Sequence, residues 1–471
     1  MTQAYDRRAF LKVVGGTAMA LPWMACSSGG GGGSVVIVGA GLSGVAAAML
    51  LEERGLAVTI VEARDRIGGR VYTMDDVPGR PDAGGPVVGA SYERLIRLAK
   101  AAGTPVQPLK SFETSELEYV NGENVIAADW AGAKANRLEG AERQVLPGLL
   151  VGYYCGKNLT LADGRAWMDP AQAALDIPLD EYLKRQGASA EALRLMNVAP
   201  NANSLSTTSA LWALRDAQRR RDTKIRGMLE IPGGNSRVVE AMASTVKGPI
   251  HRGSPVTRIA STREGVEVTC ANGASYKADY GIVTVPFSVL REIQVEPAFE
   301  GAQKEAVERI PYTAITQYFM VPKKPYWDDD KLPPLMWTDT AIERIFPQRD
   351  ADGRVLSLTC WIDGASALTL DAMPEADQIA FVKAELARIR PATTDNIDVA
   401  RLVSWAREPY SKGAYANYLP GQVTRLRPTM AAPWHRMHFA GEHTAVTGPG
   451  MEGAVESAER AADEVIARAM A

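Results

Sequence analysis

Cysteine is scarce in this chain, with four residues in 471 and none in CxxC spacing. That excludes a thiolate metal centre and a vicinal redox pair. Beyond Cys26, which belongs to an N-terminal segment, only Cys155, Cys270 and Cys360 remain. An odd number cannot all pair internally, and with so few an apolar core rather than disulfides must hold the fold. Histidine is equally sparse, and His251, His435, His438 and His443 form no metal-ligand pattern. No metal is expected. The formal net charge is only −3, which gives no reason to expect a nucleic-acid or polyanion partner. The basic run from Arg215 to Lys224 reads as a solvated helix end. What remains is 46% hydrophobic and 23% charged, the ordinary makeup of a soluble globular protein. The length suits two or three domains, or two interleaved ones.

Residues 1–33 read as separate from the fold. Asp6-Arg7-Arg8 precedes a modest apolar run from Val13 to Trp23. That run is about half the ~20 residues a membrane span needs. Paired arginines before a short apolar stretch resemble a twin-arginine export signal. Met24-Ala25-Cys26, then Ser27-Ser28 and glycines to Gly33, resembles a bacterial lipoprotein cleavage site. A lipid on Cys26 would tether the domain through a flexible leash, and simple cleavage nearby is the alternative. Either way the expected location is outside the cytoplasm: periplasmic, or tethered to the membrane.

The first structured segment, Val35-Val36-Ile37-Val38, is an apolar β-branched run that reads as a buried parallel strand. It meets Gly39-Ala40-Gly41-Leu42-Ser43-Gly44, then a helix to about Arg54, then a second strand, Val58-Thr59-Ile60-Val61, that ends at Glu62. Strand, glycines, helix, strand and acid together form the dinucleotide-binding fingerprint. Gly39 permits the tight turn, Gly41 lets backbone approach a diphosphate, and Gly44 lets the helix pack close to the sheet. The helix start at Leu42 and Ser43 offers free N–H groups and the positive dipole end. Glu62 lies 23 positions after Gly39 (62 − 39), near the expected ~20, where its carboxylate can accept from ribose hydroxyls.

Ala63-Arg64-Asp65-Arg66-Ile67-Gly68-Gly69-Arg70 follows, and Asp82-Ala83-Gly84-Gly85 a little later. A second block opens at Ile231-Pro232-Gly233-Gly234-Asn235 and continues through strand-like runs at Val256 and Val266 to Tyr280–Pro286. A third joins Met437-His438-Phe439-Ala440-Gly441-Glu442 to Gly450-Met451-Glu452-Gly453-Ala454, the start of a last helix. Three such blocks in this order, over most of the chain after residue 33, resemble the flavin-containing amine oxidase family, which includes monoamine, polyamine and L-amino acid oxidases. The resemblance implies FAD as cofactor. It places Ala63, Arg64, Gly69, Arg70, Gly84, Gly85, Val256, Gly441, Glu442, Gly450, Met451 and Ala454 around that FAD. It also makes Tyr415 and Trp405, in Trp405-Ala406-Arg407-Glu408-Pro409-Tyr410-Ser411-Lys412-Gly413-Ala414-Tyr415, aromatic walls beside the substrate.

Three departures from the family pattern refine the expectation. Ala414 stands where some monoamine oxidases carry a flavin-bonded cysteine, so the FAD should be non-covalent. Gly450 stands where they have a second cage tyrosine, so the aromatic sandwich should be open on one side. Gln317 stands where many relatives have a lysine holding a water near flavin N5; an amide can hold water but brings no charge. Oxygen or a periplasmic redox protein can then be the electron acceptor. The expected fold class is α/β (α+β): a Rossmann-like FAD domain from residues 34–90, 230–290 and 405–471, interleaved with a sheet-plus-helix substrate domain from 91–229 and 291–404. The expected reaction is oxidation of a small-molecule amine to an imine by hydride transfer to the flavin. No arginine follows Gly85 to grip a carboxylate, which favours amines over α-amino acids. An L-amino acid oxidase, a C–C desaturase and a non-catalytic flavoprotein are the alternatives.

Overall fold

The structure, a computed structural model, describes residues 33–110 and 115–470. The Arg7-Arg8 signal and Cys26 lie outside the described residues.

Strand β1 (Ser34–Val38) turns at Gly39 into helix α1 (Leu42–Glu53), which returns through β2 (Ala57–Val61). The same parallel sheet gains β3 (Ile250–His251), β4 (Tyr280–Val283) and β5 (Met437–Phe439), in the order β3-β2-β1-β4-β5. Alternation along β1 explains why the strand is apolar on both faces. Val35 and Ile37 join one core cluster, while Val36 and Val38 join another. On the first face, α1 lies against the last helix, α2 (Gly450–Ala469). Ala46, Ala47 and Ala48 of α1, with Ala458, Ala461 and Ala462 of α2, are all essentially buried there. Small side chains allow the two axes to approach closely. The crossover from β3 to β4 is made by an antiparallel three-stranded meander (Val256–Ser261, Val266–Cys270, Ser275–Ala278) rather than a helix. The strand expected over 280–286 stops at Val283, because Pro286 opens a short helix at Phe287–Leu290.

A second, seven-stranded sheet joins distant stretches of chain. Its order is Ile397–Ser404, Ile315–Pro322, Val355–Asp363, Arg344–Arg349, Met336–Thr338, Leu117–Val120, Glu123–Ile126. One face packs Tyr318, Leu358, Cys360 and Ile362 with Val382 and Leu386 of helix Glu375–Ile389. The opposite face carries Ile315, Phe319, Trp361 and Val403, which gather around Trp405. A third layer of helices fills residues 150–222. Here the structure corrects the sequence reading of the basic run. Arg219 is half-buried and Arg220 and Arg221 are exposed, and all three keep the ion-paired setting of a helix end. Arg215 does not: it is 7% exposed, and its guanidinium bonds the carbonyls of Val446 and Gly448. Arg215 sits a full turn further from the helix C-terminus, where Val446 and Gly448 cover it, so a run of like charges need not share one environment.

Among the described residues no helix is long and apolar enough to cross a membrane, and no three His, Cys, Asp or Glu side chains gather as metal ligands would.

The β1–α1 turn is one of the tight points of this architecture. A Cβ at Gly44 would sit 2.0 Å from the Gly39 carbonyl oxygen. Alanine gains up to ~1 kcal/mol of helix propensity over glycine, but a backbone clash this close costs more. Gly44→Ala should therefore destabilise the protein by about 2–3 kcal/mol, read as a lower urea midpoint at unchanged slope. A midpoint equal to or above the parent's would show that α1 can lift off β1.

Candidate active site

One cavity of about 530 Å3 runs from the C-terminal edge of the parallel sheet to the face of the seven-stranded sheet that carries Trp361. Its size is that of a small-molecule or cofactor site, and its place at the ends of parallel strands follows from the fold.

At one end it is built to meet an anionic dinucleotide. Glu62, 3% exposed, accepts the Ala40 N–H at 2.7 Å on one oxygen and the Arg64 N–H at 2.9 Å on the other. Each oxygen keeps a lone pair for a hydroxyl donor. The Ser43 hydroxyl is buried, lines the cavity and has no partner. Neither α1 nor α2 has a side-chain cap on its first N–H groups, and the starts of both helices line the cavity, at Gly41-Leu42 and Gly450-Met451. Two uncapped helix starts and an orphan hydroxyl are the arrangement a diphosphate or an anionic ring edge fits. The residues present therefore fit a flavin dinucleotide.

In the middle, Arg70 ties three segments together. One guanidinium nitrogen donates to the Ala414 carbonyl at 2.7 Å and to Glu442 Oε1 at 2.8 Å, and Glu442 also accepts from Ala416 N–H at 3.2 Å. Gly84 is needed for close approach, since a Cβ there would meet the Arg70 carbonyl at 2.0 Å and the Trp405 ring at 2.7 Å. Trp405 is held by its indole N–H, which donates to Ala83 O at 3.0 Å. At the far end stand Tyr415, whose hydroxyl donates to Asn201 O at 3.0 Å, and Trp361. Burial pushes the Tyr415 phenol up, so it stays a neutral wall. Among the described residues, the cationic groups lining the cavity are all paired: Arg64 with Glu408, Arg70 with Glu442, and Lys412 with Glu292.

The cavity brings together Gly39, Gly41, Leu42, Ser43, Glu62, Ala63, Arg64, Gly69, Arg70, Gly84, Gly85, Val256, Gly441, Glu442, Gly450, Met451 and Ala454, with Trp405 and Tyr415. Gly44 lies behind the wall, under the turn. Gln317 also lies outside the lining, fully buried on the same strand face as Ile315, and neither amide atom has a partner. A Cβ at Gly450 would meet nothing within 4 Å, so that flank of the cavity is open. Trp361 was not singled out by sequence. Only its pairing opposite Gln317 and Arg344 turns it towards the cavity, and its indole N–H is buried without a partner.

Known proteins resemble this chain over most of its length. The family described as flavin containing amine oxidoreductase matches residues 42–466. The human flavin-containing amine oxidase B is 28% identical over 467 residues, covering 91% of this chain and 85% of that one. An L-amino-acid oxidase from Siganus canaliculatus is 28% identical over 461 residues, covering 91% and 84%. Among solved structures, cyclohexylamine oxidase from Brevibacterium oxydans IH-35A superposes with a TM-score of 0.76 over 93% of this chain and all of its own, at 22% identity, a likeness of fold.

Beside the Gly84 turn, burial pushes the Asp82 carboxyl up to about 6, against hydrogen bonds from Thr73 and Asn235 that oppose the shift. A carboxyl with a raised folded-state pKa penalises the folded protein above that pKa, and the penalty fades as pH falls through about 6 towards the unfolded value. Both donors go to the same oxygen, Oδ1, so asparagine can keep both bonds. Asp82→Asn should raise stability by on the order of 2 kcal/mol at pH 8 and by little at pH 4, seen in thermal melts at the two pH values. An equal effect at both would refute the assignment.

Proposed function

The chain belongs to the flavin-containing amine oxidoreductase family and is a flavin oxidoreductase; from that premise we propose that it binds FAD without a covalent bond and oxidises an amine to an imine. Water then hydrolyses the imine to an aldehyde or ketone plus ammonia or amine. Non-covalent binding is supported by Ala414, which lines the cavity and has no nucleophile, and by the cysteines. Cys155, Cys270 and Cys360 are all buried, and none of them lines the cavity.

The observation that carries the amine reading is the charge state of the cavity. Every cationic side chain that lines it is already held by a carboxylate, so none is left to grip the carboxylate of an α-amino acid. The substrate end is walled instead by Tyr415, Trp405, Trp361 and Ile315. Bound FAD supplies the two-electron acceptor for the C–H bond next to nitrogen. The chain's own part is to place and dry the substrate. Tyr415 is pinned through Asn201 and Trp405 through Ala83, so both ring planes are fixed before the amine arrives. Among the described residues no unpaired acid or base lines this end, which suits an amine that enters neutral.

Gln317 brings no charge to the buried face beside Trp361, and we propose that a periplasmic redox protein, as well as oxygen, accepts the electrons. We also propose export by the twin-arginine route, with Cys26 as a lipid anchor. Arg7→Lys with Arg8→Lys should then leave the protein in the cytoplasm, and Cys26→Ala should move it from membrane to soluble fraction. An unchanged distribution in either case would remove that half of the proposal.

The central test is anaerobic mixing of the yellow holoenzyme with primary, secondary and α-amino-acid amines. Bleaching of the flavin by amines, faster as pH rises through the amine's own pKa, is expected. Colour should return with oxygen or a cytochrome. Bleaching by α-amino acids alone would convert the reading to an L-amino acid oxidase, and no bleaching by any amine would end it. Tyr415→Leu should lower kcat/KM for the best amine about tenfold or more, a loss of ~1.4 kcal/mol of transition-state stabilisation.

A further inference from the structure

Two walls of the cavity, Gly441-Glu442 and the start of α2 at Gly450-Met451, are joined by the turn at residues 443–448. Buried side chains hold most of that turn's backbone. Arg427 donates to His443 O at 2.6 Å and also to Ala445 O. Arg215 donates to Val446 O at 3.1 Å and Gly448 O at 2.7 Å. From the other side, Glu456 of α2 accepts the N–H groups of Val446 at 3.0 Å, Thr447 at 3.1 Å and Gly448 at 2.5 Å. The guanidinium of Arg215 lies over Trp212 at 4.6 Å and Trp167 at 5.0 Å, and that of Arg427 over Trp167 at 5.1 Å.

This is an expensive way to shape a turn. Burying two cations has a desolvation cost that well-packed apolar side chains would avoid. Burial first, and then the neighbouring Arg427, push Arg215 down to about 10. Two guanidiniums, Arg215 and Arg427, share the Glu456 carboxylate behind the turn, with Asp216 also beside Arg215. Positive charge is felt next to the cavity: burial, and then Arg70, Arg427 and Arg460, drive His443 well below its usual range. A forked donor is also the group best suited to carbonyls pointing in different directions.

We propose that Arg215, Arg427 and Glu456 are positioning residues for the flavin: they lock the 443–448 turn so that Glu442 and the α2 start meet the cofactor in register, and the net positive charge they bury behind that wall stabilises the reduced, anionic flavin. The inference rests on FAD occupying this cavity, as proposed above. Glu456→Gln keeps the size and removes the negative charge, leaving one of the two acceptor oxygens for the turn's N–H groups. Arg215→Lys keeps the charge and loses the fork. Arg215→Met loses both.

The test compares these three variants with the parent in FAD dissociation constant, measured on apoprotein, in flavin midpoint potential, and in kcat and KM. Arg215→Met should weaken FAD binding about tenfold or more and lower the potential, with kcat falling further than KM rises. Arg215→Lys should keep the potential near the parent's but still bind FAD more weakly. Glu456→Gln should raise the potential. If Arg215→Met does not fold, the other two variants carry the test alone. The proposal is overturned if the variants keep the parent's dissociation constant and potential while melting lower by the same amount with and without FAD, the mark of a purely structural role. A parent protein that itself refuses FAD would bring down the functional reading and this inference together, whereas parental binding with unmoved variants sinks only the inference.

Discussion

The pair Arg70–Glu442 joins residues 372 positions apart, and the site is arranged around it. Arg70 leaves the parallel sheet's first βαβ unit, and Glu442 sits at the foot of its last strand. The same guanidinium bonds the Ala414 carbonyl and so draws in the segment that holds Trp405 and Tyr415. A partly buried, hydrogen-bonded ion pair contributes little net stability over an apolar alternative, but it strongly disfavours any arrangement that parts its members. It specifies register. Once Arg70 is placed, Gly84 must be glycine, because the Arg70 carbonyl and the Trp405 ring occupy the space a side chain would need.

The cavity is graded in polarity from end to end. The end at the β1–α1 turn presents N–H groups, the Glu62 carboxylate and an unpartnered serine hydroxyl. The far end presents aromatic and aliphatic faces, with no unpaired charge among the described residues. Such grading suits chemistry in which an anionic cofactor is gripped by backbone dipoles while a neutral substrate is desolvated beside it. The Arg215–Arg427–Glu456 group extends the same logic one layer back, where charge too costly to place in the cavity itself can still bias it.

Legibility in the sequence followed locality. Gly39, Gly41, Gly44 and Glu62 lie within one βαβ unit, so turn chemistry and strand periodicity are enough to read them. Gly441, Glu442 and Met451 were readable only through resemblance, because nothing local distinguishes a Gly-Glu strand end from any other. Arg215 was misread as solvated since charge runs are judged by composition. Its burial depends on Trp167, Trp212 and Val446, which arrive from elsewhere in the chain. Trp361 was one aromatic among several until the register of the seven-stranded sheet set it opposite Gln317. A shift of one residue would have turned it to the other face.

By itself, then, the sequence determined the dinucleotide-binding βαβ unit, and through resemblance it gave the family and most of the residues that line the cavity. The βαβ unit depends on short-range steric rules: which residues permit a tight turn, a close helix and an extended strand. Only the tertiary structure decided which charges are cancelled, which aromatic side chains face the cavity, and how distant segments of the chain are locked around it. These are outcomes of pairings between residues hundreds of positions apart, and no local preference encodes them.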